Sequence, residues 1–366
     1  MTAELARPRA RPAALWRRRP LGWILVMGAV LTGGATGCAP WPEPATPGSP
    51  SVSAGRSTPE DADLAALVPA GVQTVIEVDL AQLRRSPFTA EALVDPDAVG
   101  RERSAVALGV DTAADLDRVV YATGGAGLNA PTLVLAQGRV QYTKLEAAFR
   151  ERWPGATTDT WHGLPVLAKG ENALAALSSR TFVSGPPGQV RAAIDRAFGL
   201  GRDFRDPSPD AQSGRGLGQG VARRDLLGVA GTAVPAVLAT IGLDEGLRAR
   251  VGDALPLPRQ LHTVGLRLDL GESLDLRILG LLDDREAAAV LARRLGAMIG
   301  DRDTRGALGA FGLASLVEGA KVVAEGARVR VVTTVGPDQR TALGAALRTL
   351  AVALRTGTDP RPGGSW

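Results

Sequence analysis

Few side chains in this sequence are of the types that commonly carry out chemistry. The histidines are His162 and His262, and the single cysteine is Cys38. A structural zinc site takes about four nitrogen or sulfur ligands, so these residues nearly exclude one. His162 lies in a predicted hairpin turn and His262 precedes a predicted strand, positions typical of surface or hydrogen-bonded histidines rather than of a catalytic base. The sequence therefore predicts no catalytic residue, no metal site and no cofactor.

Two further patterns imitate functional motifs. The segment 214–220 is as rich in glycine as a phosphate-binding loop, but it lacks the Lys-Ser/Thr pair of that motif, which favours a flexible linker. Asp203, Asp206 and Asp210 could contact calcium, yet their spacing fits no EF-hand loop. Neither pattern predicts a ligand.

Glu77 and Asp79 share one face of a predicted strand, as paired carboxylates of a general acid–base site would. Gln82 follows Asp79 by three residues, which is the spacing of an N-cap with a capping box. Helix capping by Asp79 is therefore the preferred interpretation.

The positive charge of the chain is concentrated near its start. Residues 1–38 contain six arginines and one acidic residue, and the remainder contains 36 basic and 37 acidic residues. A nucleic-acid-binding surface needs a basic face, and this balance predicts no nucleic-acid partner.

The segment 17–38 has the three-part order of a secretory signal. Arginines precede an apolar run of eleven residues at 21–31, and small residues then lead to Cys38. Eleven helical residues span about 16 Å, roughly half of a bilayer core. The pattern predicts a signal peptide over 1–37 rather than a membrane-spanning helix. The Pro-, Gly- and Ser-rich residues 38–60 predict a tether.

The residues Ala35-Thr36-Gly37-Cys38 resemble the lipobox of bacterial lipoproteins. The resemblance implies cleavage before Cys38, diacylation of its thiol, and a lipid-anchored protein of the cell envelope that faces the periplasm or the exterior. Ala39 follows the cysteine where a sorting signal would have Asp, which implies the outer membrane if the host has two membranes. Because Ala35 stands where leucine is usual, a plain signal peptide and an uncleaved anchor are the alternatives.

Hydrophobic periodicity predicts a first module over 61–200, a linker or long loop over 201–222, a second module over 223–355 and a disordered tail over 356–366. In the first module we expect strands at 73–79, 118–122, 132–136, 156–161, 164–168, 173–177 and 181–183, and helices at 80–85, 142–153 and 187–198. In the second we expect strands at 225–233, 264–270, 274–282, 321–324 and 328–335, and helices at 234–251, 284–299 and 338–354.

The two modules resemble each other. Each ends a strand with a Gly-Pro pair and then enters its last helix, at Gly185-Pro186 and at Gly336-Pro337, 151 residues apart. The shared order of elements predicts an α+β fold of two similar modules, each an antiparallel sheet with amphipathic helices packed on one face. Whether the modules share one continuous sheet stays open.

The opening of the first module is similar to that of uncharacterised secreted or lipid-anchored bacterial proteins built from duplicated α+β modules. The residues that carry this resemblance are Val68-Pro69-Ala70-Gly71, Val78-Asp79-Leu80, Leu83 and Ser86-Pro87. These motifs are turns and caps, so the resemblance implies a fold and a location and carries no catalytic residue over.

We therefore expect a non-enzymatic cell-envelope lipoprotein that acts as a scaffold or binding module for an unknown envelope protein. The alternative is a carrier of lipid or another hydrophobic ligand between sheet and helices. A buried apolar cavity of roughly several hundred Å³ would favour the carrier, and a tightly packed interface would favour the scaffold.

Overall fold

The structure is a computed structural model. It describes residues 63–89, 110, 112–124, 131–201, 204, 217–228, 234–243, 245, 258–310, 314–343 and 345. Cys38, the signal peptide, the tether and the tail lie outside the described residues, and so do Asp203, Asp206, Asp210 and most of the predicted helix 338–354.

The fold is α+β, with helices packed on one large antiparallel sheet. The strands are Thr74–Asp79 (β1), Leu116–Thr123 (β2), Thr132–Gly138 (β3), Thr157–Trp161 (β4), Leu164–Lys169 (β5), Asn172–Ala176 (β6), Thr181–Gly185 (β7), Val237–Gly242 (β8), Leu261–Leu270 (β9), Leu274–Leu282 (β10), Lys321–Glu325 (β11) and Arg328–Val335 (β12). The described strands form a single twelve-stranded sheet in the order β11-β12-β10-β9-β8-β1-β2-β3-β7-β6-β5-β4. The two predicted modules are thus joined where β1 pairs with β8.

The helices are Leu80–Arg85 (α1), Thr112–Asp115 (α2), Tyr142–Arg152 (α3), Pro187–Ala197 (α4), Leu217–Leu227 (α5), Arg285–Gly300 (α6), Arg302–Ala310 (α7) and Ala314–Glu318 (α8), with 3-10 turns at Leu64–Leu67 and Pro337–Gln339. Within the described ranges, no helix is long and apolar enough to cross a membrane.

The two faces of the sheet are defined here by β1. Side chains alternate along a strand, so Val75, Glu77 and Asp79 point to what we call the front face, and Ile76 and Val78 point to the back face. The in-register pairing with β2 and β8 extends both faces across the centre of the sheet.

Helices cover both faces, which corrects the expectation of helices on one face of each module. On the front face, Val190 and Ile194 of α4 pack in one buried cluster with strand residues such as Val183. The 3-10 turn Leu64–Leu67 contributes to the same cluster. On the back face, α3 packs Leu145 and Phe149 against residues of β2, β3 and β7. The expectation failed because β3 and β7 bury side chains of both parities, so each of their faces needs a cover.

Helix α6 covers the back face of the other half. Its N-cap Asp284 accepts a hydrogen bond from the Ala287 backbone N–H at 2.8 Å. Leu291 and Leu295 then pack with Leu282 of β10 and Val329 of β12. The predicted helices 284–299 and 142–153 are thus confirmed to within one residue at each end, and the predicted strands 274–282 and 328–335 match β10 and β12 at both ends.

Among the described residues, the prediction was least accurate over 217–228 and 234–243. Residues 217–222, predicted as linker, begin α5 instead. Of the predicted strand 225–233, residues 225–227 form the end of that helix, and residues 229–233 lie outside the described residues. The predicted helix 234–251 contains β8, whose residues Val237–Thr240 are all buried. A strand buried on both faces has no alternation, and a helix whose buried stripe is Gln219, Ala222 and Leu226 shows little apolar periodicity.

Close packing at the end of β3 gives a test of this fold. A Cβ atom at Gly138 would lie 2.1 Å from the Asp115 backbone oxygen and 2.7 Å from the Cα atom of Leu116. Since backbone atoms must move to admit it, Gly138→Ala should destabilise the protein by about 1–3 kcal/mol in urea unfolding followed by circular dichroism.

The matched control is Gly296→Ala in α6, where no heavy atom lies within 4 Å of the added Cβ. This helix-interior substitution should stabilise by about 0.5–1 kcal/mol. Equal stability of Gly138→Ala and wild type would contradict the pairing of β3 beside the Asp115–Leu116 corner.

Candidate functional site

A cleft of about 440 Å³ lies on the front face, where β1 and β8 join the two halves of the chain. One wall is the start of the 3-10 turn at Asp63 and Leu64, and the opposite wall is α5, with Arg223 and Leu227. Val234, which is 56% exposed, lies at the rim. The cleft is therefore bounded by elements from both halves.

The floor of the cleft is a row of directly paired residues. Val120 of β2 pairs with Glu77 of β1, which pairs with Leu238 of β8, which in turn pairs with Arg267 of β9. Direct partners in an antiparallel sheet point to the same face, so the row places one acid and one base among apolar side chains.

Glu77 is held by an arginine from α5. Arg223 donates from Nε to Glu77 Oε1 at 2.7 Å and from Nη2 to Oε2 at 3.0 Å, a bidentate pair in which both side chains are largely buried. The carboxylate of Asp63 lies 3.9 Å from the same guanidinium. This pair fixes α5 over the sheet and neutralises a carboxylate that burial would otherwise penalise.

Arg267 is fully buried, with 0% of its surface exposed. It binds Asp269 through two hydrogen bonds of 2.7 and 2.9 Å and donates from Nη1 to the Leu226 carbonyl oxygen at 2.8 Å. The last carbonyls of a helix have no partner within the helix, and a cation there is favourable. Arg267 therefore binds the C-terminal end of α5 to β9.

Gly265, two residues before Arg267 on the same face, lets α5 lie close to the sheet. A Cβ atom there would be 2.7 Å from Leu226 Cδ1. The helix that supplies Arg223 is thus positioned by a close approach at Gly265 and by the contact of Leu226 with Arg267.

The Asp79–Arg118 pair is looser than the other two. Asp79 is the N-cap of α1, and its Oδ1 accepts a hydrogen bond from the Gln82 backbone N–H at 2.7 Å. Its Oδ2 lies 3.6 Å from Arg118 Nε, beyond hydrogen-bond distance, with the Asp79 side chain 12% and the Arg118 side chain 46% exposed. An acceptor and a donor therefore face the cleft with unused capacity.

The predicted N-cap at Asp79 is confirmed, whereas the capping box is not formed. The Asp79 backbone N–H donates to the Ala236 carbonyl oxygen, and the Gln82 side-chain amide lies 3.4 Å from the Leu270 carbonyl oxygen. The strand pairing of β1 takes the donor that a capping box would use.

The charges that line the cleft balance formally, because three arginines (118, 223 and 267) accompany three carboxylates (63, 77 and 79). A site of this kind offers both hydrogen-bond donors and acceptors beside the apolar side chains Leu64, Leu227 and Leu238. It differs from the purely apolar cavity expected of a carrier of acyl chains.

His162 lies away from the cleft, at the tip of the β4–β5 hairpin. It has a φ of +48° and precedes Gly163 with a φ of +82°, as a two-residue hairpin turn requires. Its Nε2 is 2.7 Å from Asp195 Oδ1, the same oxygen that accepts from Trp161 Nε1 at 2.8 Å. Both contacts tie the hairpin to α4.

His262 lies on β9 and pairs with Asp283, just beyond β10. Neither histidine lines the cleft. Across the residues that the structure describes, no group of three or more His, Cys, Asp or Glu side chains is arranged to hold a metal ion.

The sequence drew attention to Glu77 and Asp79 but not to Arg118 or Arg223. Arg223 lies 146 positions from Glu77, and its segment was interpreted as the edge of a linker. Two acids on the buried face of a strand were the signal available, because buried carboxylates need a cationic partner from another element.

No protein-family model and no curated protein matches this sequence. Among solved structures, the chain is similar to the Treponema protein TP0453. Crystal form III gives a TM-score of 0.44 and 12% identity over 78% of this chain and 99% of the other. Crystal form I gives 0.42 and 11% over 79% and 98%. With TM-scores below 0.5, we draw no conclusion from this similarity.

The Arg223–Glu77 pair can be tested by a double-mutant cycle. Arg223→Met leaves a largely buried carboxylate without its bidentate partner, so it should lower the free energy of unfolding by about 1.5–3 kcal/mol. Adding Glu77→Gln should recover part of this loss, because the unpaired charge is removed. Strictly additive effects in urea unfolding would show that the two side chains do not interact.

Proposed function

We propose that this chain is a non-enzymatic binding module of the cell envelope, anchored through a lipid on Cys38, and that the front-face cleft is its ligand site. The observation that carries the proposal is the loose Asp79–Arg118 pair in a cleft of about 440 Å³. Pockets of small-molecule sites fall in this size range and present a few polar groups among apolar ones.

The anchor is supported by the segment 17–38 and by the tether that follows it. The described fold begins at Asp63, on the wall of the cleft. In the proposed arrangement the protein faces the periplasm or the exterior, and Ala39 favours the outer membrane in a host with two membranes.

A non-enzymatic role is supported by the state of the cleft carboxylates. Glu77 is committed to two hydrogen bonds with Arg223, and Asp79 caps α1. A general base must reach the proton that it abstracts and must be free to accept it, which the bidentate pair with Arg223 opposes for Glu77. Asp79 keeps only Oδ2 open, and we assign that atom to ligand binding rather than to proton transfer. Binding of a ligand to Asp79 and Arg118 needs hydrogen bonds only and no transfer of a proton.

The proposed module is a duplicated one, and the strand order supports duplication. Outward from the centre, one half runs β1-β2-β3-β7-β6 and the other runs β8-β9-β10-β12-β11. In both halves the helix after the third strand, α3 or α6, lies on the back face. In chain order, the β4–β5 hairpin follows α3 in one half, whereas α7 and α8 follow α6 in the other. The cleft then lies at the junction of two similar modules.

The alternative function is a carrier of a lipid or another hydrophobic ligand. It is favoured by the cleft volume and by the apolar side chains of Leu64, Leu227 and Leu238. It is disfavoured by the ion pairs at the floor, because an acyl chain that covered them would remove their remaining hydration without offering hydrogen bonds in return. We therefore place it second.

The anchor is tested by expressing the wild type and Cys38→Ser in a bacterial host and measuring intact mass and membrane fractionation. We expect a wild-type species that begins at Cys38 with the mass of a diacylglycerol and sediments with membranes. The variant should appear in the soluble fraction. An unmodified, soluble wild-type protein would overturn the anchor.

The ligand site is tested by native mass spectrometry of the full chain extracted from its host. Wild type should retain a small non-covalent mass, and Arg118→Ala should retain at least about tenfold less, since a charge-assisted hydrogen bond is lost. Arg285→Ala, an exposed arginine on α6, is the matched control and should keep the mass.

The identity of the retained mass separates the two functions. A small polar molecule supports the binding module, and a fatty acid or phospholipid supports the carrier. If no mass is retained, or if both arginine variants keep it equally, the cleft is not the ligand site.

A further inference from the structure

The twelve-stranded sheet ends in two outer strands, β4 and β11, each with one neighbouring strand among the described residues. An outer strand presents backbone N–H and C=O groups that pair readily with another strand. Such an edge must be protected or used, and the two edges of this sheet differ.

At the β11 edge, the front face is apolar at its centre. Val323 is 47% exposed, and Val332 of the neighbouring strand is 36% exposed. They are two of the five large hydrophobic residues that are exposed in the described part of the chain. The register places Lys321 directly beside Val332, so the two valines are diagonal neighbours.

The described helices α6 and α8 cover only the back face of the sheet at the β11 edge. Helix α6 packs on residues of β10, β12 and β11 on the back face, and Leu316 of α8 packs near β10 and β12 on the same face. On the front face, Lys321, Val323 and Glu325 are all exposed.

The sequence of β11, Lys-Val-Val-Ala-Glu, is complementary to itself in an antiparallel pairing. Centred on Val323, the pairing places Lys321 opposite Glu325 of a second copy, and Val323 opposite Val323. The remaining pairs are Val322 with Ala324. Opposite charges and apolar groups that face each other directly across a sheet are stabilising. The two-fold axis is perpendicular to the sheet, so the front faces of both copies lie on the same side.

The β4 edge lacks this complementarity. Pairing β4 with itself about its central residue would place Asp159 against Asp159, and like charges in that position are destabilising. Both edges also contain an ion pair within the chain, Arg191 with Asp159 at 2.8 Å on β4 and Arg330 with Glu325 at 3.0 Å on β11, so the pattern of self-pairing is what distinguishes them. The contrast selects β11 as the edge that associates.

We propose that two copies of this chain associate through β11, which extends the sheet antiparallel across a two-fold axis, with Lys321 of each copy paired to Glu325 of the other. The closed symmetry stops growth at a dimer, because β4 provides no second matching edge. The inference is independent of the cleft and of its ligand.

The test is sedimentation velocity of the full chain, with Cys38→Ser in every sample so that neither a lipid nor a disulfide causes association. The parent protein should shift from monomer to dimer as its concentration rises. Lys321→Glu and Glu325→Lys should each weaken association by about tenfold or more, because both symmetry-related ion pairs become repulsive.

Mixing the two single variants distinguishes this interface from any other. In a mixed pair, the acidic edge of Lys321→Glu faces the basic edge of Glu325→Lys, and both ion pairs are attractive again. An equimolar mixture should therefore form a one-to-one dimer that neither variant forms alone. Each variant is first shown to keep the far-ultraviolet circular dichroism and urea midpoint of the parent, because Glu325 also pairs with Arg330 at 3.0 Å.

Asp159→Lys on the opposite edge is the matched control and should leave association unchanged. A parent protein that stays monomeric at all concentrations would overturn the proposal. So would single variants that dimerise as the parent does, or a mixture that stays monomeric.

Discussion

The antiparallel pairing of β1 with β8 is the contact on which the rest of the structure depends. Without it, the chain would hold two separate sheets, each with a further exposed edge. With it, the described strands form one sheet, in which β1 and β8 each pair with a strand on both sides. Buried strands at the centre of a sheet cannot alternate between apolar and polar residues unless each polar side chain finds a partner. The polar groups that β1 does place on the front face, Glu77 and Asp79, therefore determine what must be packed above them.

Three arginines from different elements line the cleft, and two of them face the carboxylates of β1. Arg223 comes from a helix and binds Glu77 through both of its oxygens. Arg267 comes from a strand in the same row, is bound by Asp269, and uses its remaining donor on the end of α5. Arg118 comes from β2 and stays 3.6 Å from Asp79. The first two contacts are satisfied within the protein and fix α5 to the sheet. The contact of Arg118 with Asp79 is not a hydrogen bond. One side of the cleft therefore has a free donor and acceptor, although the formal charges of the cleft balance.

How far the sequence predicted this arrangement depended on burial. Where one face of a strand is apolar and the other polar, as in the hairpin 264–282, alternation predicted both strands, with the first beginning three residues later than β9 does. Where both faces are buried, as in β8, the pattern was taken for a helix. Helix α5 was missed because its buried stripe is short and its first turn contains glycines. The cleft is lined by these two elements and by β1. Its carboxylates on β1 were noticed because that strand was predicted, whereas the partner Arg223 lies on the helix that was missed. Pairing over 146 positions leaves no local trace.

The position of the first described residues connects the cleft with the proposed anchor. Twenty-four residues lie between Cys38 and Asp63, and the chain from Cys38 to Asp63 reaches at most about 80–90 Å. Asp63 caps the 3-10 turn by accepting from the Ala65 backbone N–H at 3.2 Å, and its carboxylate lies 3.9 Å from Arg223. The chain that leads from the anchor thus enters the fold as a wall of the cleft, one contact away from the ion pair at its floor. In an anchored protein, the proposed ligand site would stay within the tether's reach of the bilayer.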